Sequence, residues 1–77
     1  MRFYVDLNKV EDVKNFVKKA EKYDCDIVVR SQDRVFAVDG TSLIGMFSLD
    51  LSRPVEVDVK GEEEAELFKN ELYGLLV

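Results

Sequence analysis

Ser42 is the side chain in this sequence best placed to do chemistry. It stands in Val38-Asp39-Gly40-Thr41-Ser42-Leu43-Ile44-Gly45-Met46-Phe47-Ser48-Leu49, at the head of a short apolar segment. Two uses are open to a hydroxyl there. It can cap a short helix by accepting a backbone N–H that has no partner. It can also carry a phosphoryl group, whose charge suits the positive end of a helix. The two uses are physically compatible. The remaining reactive side chains form no constellation. Histidine is absent, which removes the commonest general base and metal ligand, and any phosphohistidine. Cys25 lacks a CxxC partner and reads as a small apolar core residue. Asp6, Asp24, Asp26 and Asp58 have no spacing that suggests an acid–base pair. Glu62, Glu63 and Glu64 are adjacent, so on a helix they point apart and read as helix-start acids rather than a metal site. An aspartyl phosphate at Asp6 or Asp12 would need a metal and an electrophilic pocket that no motif supplies. The sequence therefore predicts no catalytic residue, no metal site and no cofactor.

The apolar side chains of the same segment raise a second possibility. Leu43, Met46 and Phe47 either pack into a core or form an exposed patch that docks another protein. A helix this short cannot bury every side. Lys14, Lys18, Lys19 and Lys22 read as a solvated helix face.

The elements that must position these residues follow from periodicity. Phe3, Val5 and Leu7 alternate with polar neighbours, which predicts a strand over 2–7 with one buried face. Asn8-Lys9-Val10-Glu11 has the form of a capping box. Val10, Val13, Phe16, Val17 and Ala20 make one apolar stripe, so a helix should run to near Tyr23. Residues 25–31 and 35–39 read as a hairpin around a tight turn at Gln32-Asp33-Arg34. Thr41 to Leu49 is a short helix capped by Thr41 or Ser42. Pro54 opens a strand in which Val55, Val57 and Val59 alternate with Glu56, Asp58 and Lys60. Gly61 ends it, and the last helix carries Ala65, Phe68, Leu72 and Leu75 or Leu76 as its apolar stripe.

The order βαββαβα implies an α+β fold, a four-stranded antiparallel sheet with helices on one face. A ferredoxin-like sandwich is the alternative, and it requires the short helix to be incidental. The 77 residues support one domain, 1–77. A net charge of −5 argues against nucleic acid and against anionic membrane surfaces. One cysteine, no signal-like N-terminus and no long apolar run point to the cytoplasm.

At this level the sequence resembles HPr, the histidine-containing phosphocarrier of the bacterial sugar phosphotransferase system. The resemblance rests on Thr41-Ser42-Leu43-Ile44-Gly45-Met46-Phe47-Ser48-Leu49, on Pro54 to Leu67, and on Ala20 to Val29. It implies the HPr-like open-faced sandwich. It also implies that Ser42 matches a serine which a dedicated kinase phosphorylates in some members. Leu43, Met46 and Phe47, with Lys9 near the start of the first helix, would lie on the face that docks partners. Those partners would be phosphotransferase components, HPr kinase or a catabolite regulator. The family's phosphoryl-accepting histidine, with its arginine and proline, has no counterpart in Leu7-Asn8-Lys9-Val10-Glu11-Asp12. A protonated lysine is no phosphoryl acceptor, and Glu11 and Asp12 repel phosphate.

The resulting expectation is a non-enzymatic, regulatory HPr-like protein, a monomer or weak homodimer that docks protein partners. The alternative is a scaffold or self-associating domain that reuses the fold without a phosphotransferase role.

Overall fold

The computed structural model describes residues 1–77. Its elements are β1 (Arg2–Val5), α1 (Val10–Ala20), β2 (Ile27–Arg30), β3 (Ala37–Asp39), α2 (Leu43–Phe47), β4 (Val55–Val59), α3 (Glu62–Glu71) and a 3-10 turn at Tyr73–Leu75. The strands form one antiparallel sheet in the order β1-β4-β2-β3. Period-two alternation sends Phe3, Val5, Ile27, Val29, Val55, Val57 and Val59 to one face, where all are buried. The helices cover that face with Val13, Phe16, Val17, Ala20, Met46, Ala65 and Phe68. Phe68 lies at the centre, its ring 5.2 Å from Phe16, 5.4 Å from Tyr23 and 6.3 Å from Phe3 between centroids. The other face of the sheet carries no helix. This is the expected open-faced sandwich. The short helix is not incidental, since Met46 and the following Leu49 are both core residues.

Several boundaries differ from the sequence-based expectation, each for a local reason. Asn8 does not cap α1. Leu7 is still buried in the layer, and Asp6 N–H donates to Leu75 O at 2.9 Å, so the chain stays extended longer. Lys9 becomes the N-cap, without a side-chain cap bond, and its carbonyl accepts the first helical N–H from Val13 at 3.1 Å. The stripe of α1 begins at Val13, because Val10 is exposed. Its last turn tightens through Lys22 and Tyr23, whose N–H groups donate to Lys19 O and Ala20 O.

β3 is shorter than the predicted 35–39. The turn after β2 closes when Arg34 N–H donates to Ser31 O at 2.9 Å. Arg34 then has φ 60, the left-handed region that non-glycine residues enter rarely. Asp33 Oδ1 accepts from the Ser31 hydroxyl at 2.5 Å and from Val35 N–H at 3.0 Å. The turn thus holds Val35, with Phe36 after it, outside the ladder.

The two long helices are fastened at their C-terminal ends by Glu71. Its carboxylate accepts from Lys22 Nζ at 2.6 Å and from the Tyr23 hydroxyl, while its carbonyl accepts from Lys19 Nζ at 3.1 Å. Lys19 and Lys22 therefore do more than solvate a helix face. Burial, and then the bond to Glu71, pushes the Tyr23 phenol from its ordinary 10.0 up to about 12. A phenol held neutral in the folded state stabilises the fold fully below its unfolded value. That contribution is lost as pH rises from the ordinary value to the shifted one. We therefore expect ultraviolet titration to show a late phase from Tyr23, and stability to fall above about pH 10. Tyr23→Phe should abolish the late phase. A late phase that survived it would mean that another tyrosine is the perturbed one.

Candidate functional site

α2 and its approach form the site that the sequence singles out. The Ser42 backbone is extended (φ −99, ψ 108), as an N-cap requires, and its Oγ accepts from Gly45 N–H at 3.0 Å. Thr41 is not the cap. Its N–H and hydroxyl both donate to Asp39 Oδ1, at 2.9 and 2.7 Å, in a turn that delivers the chain to Ser42. Those bonds hold the Asp39 carboxyl below the usual carboxylate range, the backbone bond acting most. Gly45 sits where a Cβ would stand 3.0 Å from Ser42 Oγ and 3.3 Å from Val38 Cβ. The helix can thus lie close to both its cap and β3. At the other end the Ser48 hydroxyl donates to Gly45 O at 2.6 Å.

The cap has a measurable weight. Ser42→Ala should cost about 1 kcal/mol, and Ser42→Asp should cost almost nothing because aspartate caps equally well. Urea unfolding of the two variants checks this. Equal losses would show that the hydroxyl, rather than any acceptor, is needed.

The apolar patch is not the one expected. Leu43, Met46 and Phe47 do share one helical face, but its centre points inward. Met46 is fully buried, while Leu43 and Phe47 flank it at 38% and 43% exposure. Packing against α1 and β3 turns this face inward, so Met46 belongs to the core and not to a docking surface. Ile44, on the opposite side, is 87% exposed, and sequence reasoning missed it. Ile44 lies off the row that Leu43, Met46 and Phe47 share, but a five-residue helix carries no signal of which side packs. The patch that reaches solvent is Leu43, Ile44 and Phe47. α2 packs against α1 and β3.

Lys9 is exposed at the start of α1. A hollow of about 360 Å³ there is lined by Asp6, Asn8, Lys9, Asp12 and the C-terminal residues Gly74 to Val77. Two carboxylates and one ammonium make a poor receptor for a phosphoryl group. No three histidine, cysteine, aspartate or glutamate side chains converge where they could hold a metal ion. Cys25 is partly buried against the core, and burial pushes its thiol up, which makes it a weaker nucleophile at neutral pH.

The open face of the sheet holds a feature that alternation alone did not reveal. Glu56, on the central strand, is 3% exposed although it faces away from the helices. Arg34 Nη1 donates to its Oε2 at 2.5 Å, and the Tyr4 hydroxyl approaches the same oxygen at 3.4 Å. Arg30 Nη1 lies 3.5 Å and Arg2 Nε 4.0 Å from Oε1, which has charge partners but no hydrogen bond. Asp58, next on the same face, pairs with Arg2 at 3.4 Å and Arg30 at 3.3 Å. Side chains from β1, β2 and the turn after β2 thus roof over a carboxylate on β4.

The comparisons with known proteins agree with this architecture. The computed structure resembles that of HPr-C-His from Thermoanaerobacter tengcongensis, with TM-score 0.74, 22% identity, and 94% of this chain and 89% of the other covered. It also resembles that of the phosphocarrier protein HPr from Bacillus anthracis str. Ames, with TM-score 0.71, 18% identity, and 97% and 93% covered. At these identities the likeness establishes the fold. Comparison with curated proteins gives no match. The family model described as the PTS HPr component phosphorylation site matches residues 12–72, most of the chain. With an open-faced sandwich beneath that match, the chain belongs to the HPr family of the phosphotransferase system.

Proposed function

We propose that this protein is a non-enzymatic docking module of the phosphotransferase system, regulatory in role, that does not carry phosphate on histidine. One observation carries the reading: the family match covers residues 12–72 and the fold likeness nearly the whole chain, yet the chain contains no histidine. The acidic setting of Lys9 supports it, because Asp6 and Asp12 line the same hollow. Leu43, Ile44 and Phe47 provide the exposed apolar contact for a protein partner, with Lys9 as a charged contact. The partners in this reading are phosphotransferase components, HPr kinase or a catabolite regulator, and the setting is the cytoplasm. No helix is long and apolar enough to cross a membrane.

Ser42 is the control point in this reading. Its side chain already stands 3.0 Å from Gly45 N–H, so a phosphoryl oxygen attached there stays near a backbone donor. The modified serine adds negative charge beside Leu43 and changes which partner the patch accepts.

Incubation with HPr kinase and ATP, followed by mass spectrometry, tests the switch. One phosphoryl group on Ser42 is expected. An unmodified chain, under conditions that fully modify a histidine-bearing HPr, would remove it. Incubation with enzyme I and phosphoenolpyruvate should transfer no acid-labile label, and transfer to any residue would overturn the non-carrier reading. Phe47→Asp should abolish recovery of phosphotransferase partners in a pull-down.

A further inference from the structure

The turn after β2 is bonded to the rest of the molecule through one side chain. Residues 32–36 are all exposed. Their own hydrogen bonds are local. Arg34 N–H donates to Ser31 O, and Asp33 Oδ1 accepts from the Ser31 hydroxyl and from Val35 N–H. The N–H of Phe36 has no partner. The only hydrogen bond or ion pair that leaves the segment is made by the Arg34 guanidinium. It reaches past β2 to β4, where Nη1 donates to Glu56 Oε2 at 2.5 Å.

That fastening is of a kind that can be undone. Arg34 holds φ 60, which costs a non-glycine residue some backbone free energy that relaxation of the turn returns. Its side chain is 49% exposed, so water and dissolved ions reach the guanidinium. Glu56 keeps other partners when Arg34 leaves. The Tyr4 hydroxyl stands 3.4 Å from Oε2, and Arg30 Nη1 and Arg2 Nε stand 3.5 and 4.0 Å from Oε1. The sheet does not run through the turn either. β2 and β4 pair directly, from Ile27↔Val59 to Arg30↔Glu56, and β2 pairs with β3 from Arg30↔Ala37 onward.

We infer that residues 32–36 form a strap, closed over Glu56 by Arg34 and able to open while the sheet and its helices stay folded. Closed, the strap forms one wall of a hollow of about 250 Å³ lined by Tyr4, Ser31, Gln32, Arg34 and Glu56. Open, that wall is gone and the guanidinium is free to meet an anion outside the fold. The open form is the minor one, because a charge-assisted hydrogen bond must break to reach it. Local opening of this sort is expected where hydrogen bonds are few and every residue is exposed. The inference concerns the fold alone and does not depend on which proteins the α2 patch meets.

Limited proteolysis tests the strap. Trypsin must take the Arg34 side chain into its specificity pocket, so Arg34 has to leave Glu56 before the Arg34–Val35 bond is cut. The initial rate of that cut follows the open fraction, and the initial rate at Lys19–Ala20, inside α1, follows opening of the body. Glu56→Gln should speed the first cut relative to the second by roughly tenfold or more, as expected for loss of a charge-assisted hydrogen bond. Arg34→Gln leaves Glu56 in place and decides the matter should the Glu56 variant fail to fold. In that variant chymotrypsin should cut after exposed Phe36 faster than in the parent chain, relative to its cut after buried Phe16. An unchanged ratio in a folded variant would overturn the inference. So would equal acceleration of the strap cut and the helix cut, because the turn would then open only with the whole fold.

Discussion

Phe68→Ala should bring this protein close to unfolding at room temperature. The side chain is fully buried and its ring meets Phe3, Phe16 and Tyr23, which come from β1, α1 and the turn after α1. Truncating a buried phenylalanine costs about 3–5 kcal/mol, from the lost transfer free energy and from the cavity that neighbours cannot fill. A chain of this size has a total stability of roughly 4–12 kcal/mol. The loss therefore takes a large share of the margin. Urea unfolding should show a midpoint shift with little change in slope, because the same surface is exposed on unfolding. A loss below about 1 kcal/mol would mean that the two long helices and the sheet do not converge on this ring. Ile44→Ala gives the contrast. That side chain is almost wholly exposed, so its removal should change stability by less than about 0.5 kcal/mol.

Glu56→Ala should be the most damaging change on the open face of the sheet. The Glu56 side chain is 4% exposed, whereas those of Arg2 and Arg34 are 59% and 49% exposed. Removing the carboxylate leaves Arg2, Arg30 and Arg34 close together with Asp58 as the remaining acid. Breaking a fully buried pair costs about 3–5 kcal/mol, but guanidiniums that reach water recover part of their hydration, so about 2 kcal/mol is expected here. In a domain of this length that lowers the melting temperature by roughly 10 °C. Arg2→Ala should cost less than about 1 kcal/mol, since its Nε stands 4.0 Å from Glu56 and Arg30 and Arg34 remain on that carboxylate. A thermal melt of both variants checks the asymmetry. Equal losses would show that Glu56 is one rim charge among several and not the group on which the others rest.

The contrast between Phe68 and Glu56 shows how far sequence reasoning reaches. Phe68 was legible because helical spacing placed it with Ala65 and Leu72, and a lone aromatic in an acidic helix has only one direction to face. Val55, Val57 and Val59 were legible for the same kind of reason, with period two. Glu56 alternates with those valines, and alternation places it only on the opposite face. Its burial depends on which strands lie beside β4, and they carry residues 2–5 and 27–30. No local pattern encodes that adjacency.

α2 shows the same division at smaller scale. The cap at Ser42 was legible because capping is decided within three residues. The facing of Met46 was not. Five residues hold too little periodicity to orient a helix, and packing against α1 and β3 made the choice. β3 was read two residues too long because Val35 and Phe36 have strand composition, while Asp33 holds Val35 N–H in the turn. The resemblance to HPr supplied the sheet architecture that these patterns left open.

The place of β4 has a consequence for how the chain acquires its shape. β4 separates β1 from β2, and its partners lie more than fifty and about thirty residues upstream. Until Val55–Val59 is available, β1 has nothing to pair with and only the short β2–β3 hairpin can form. Such a hairpin is marginal by itself in water. A nascent chain leaving the ribosome should stay unstructured until this strand, and α3 with Phe68 behind it, have emerged, then fold in one cooperative step. The long loops closed in that step make it slower than the folding of a helical bundle of equal length.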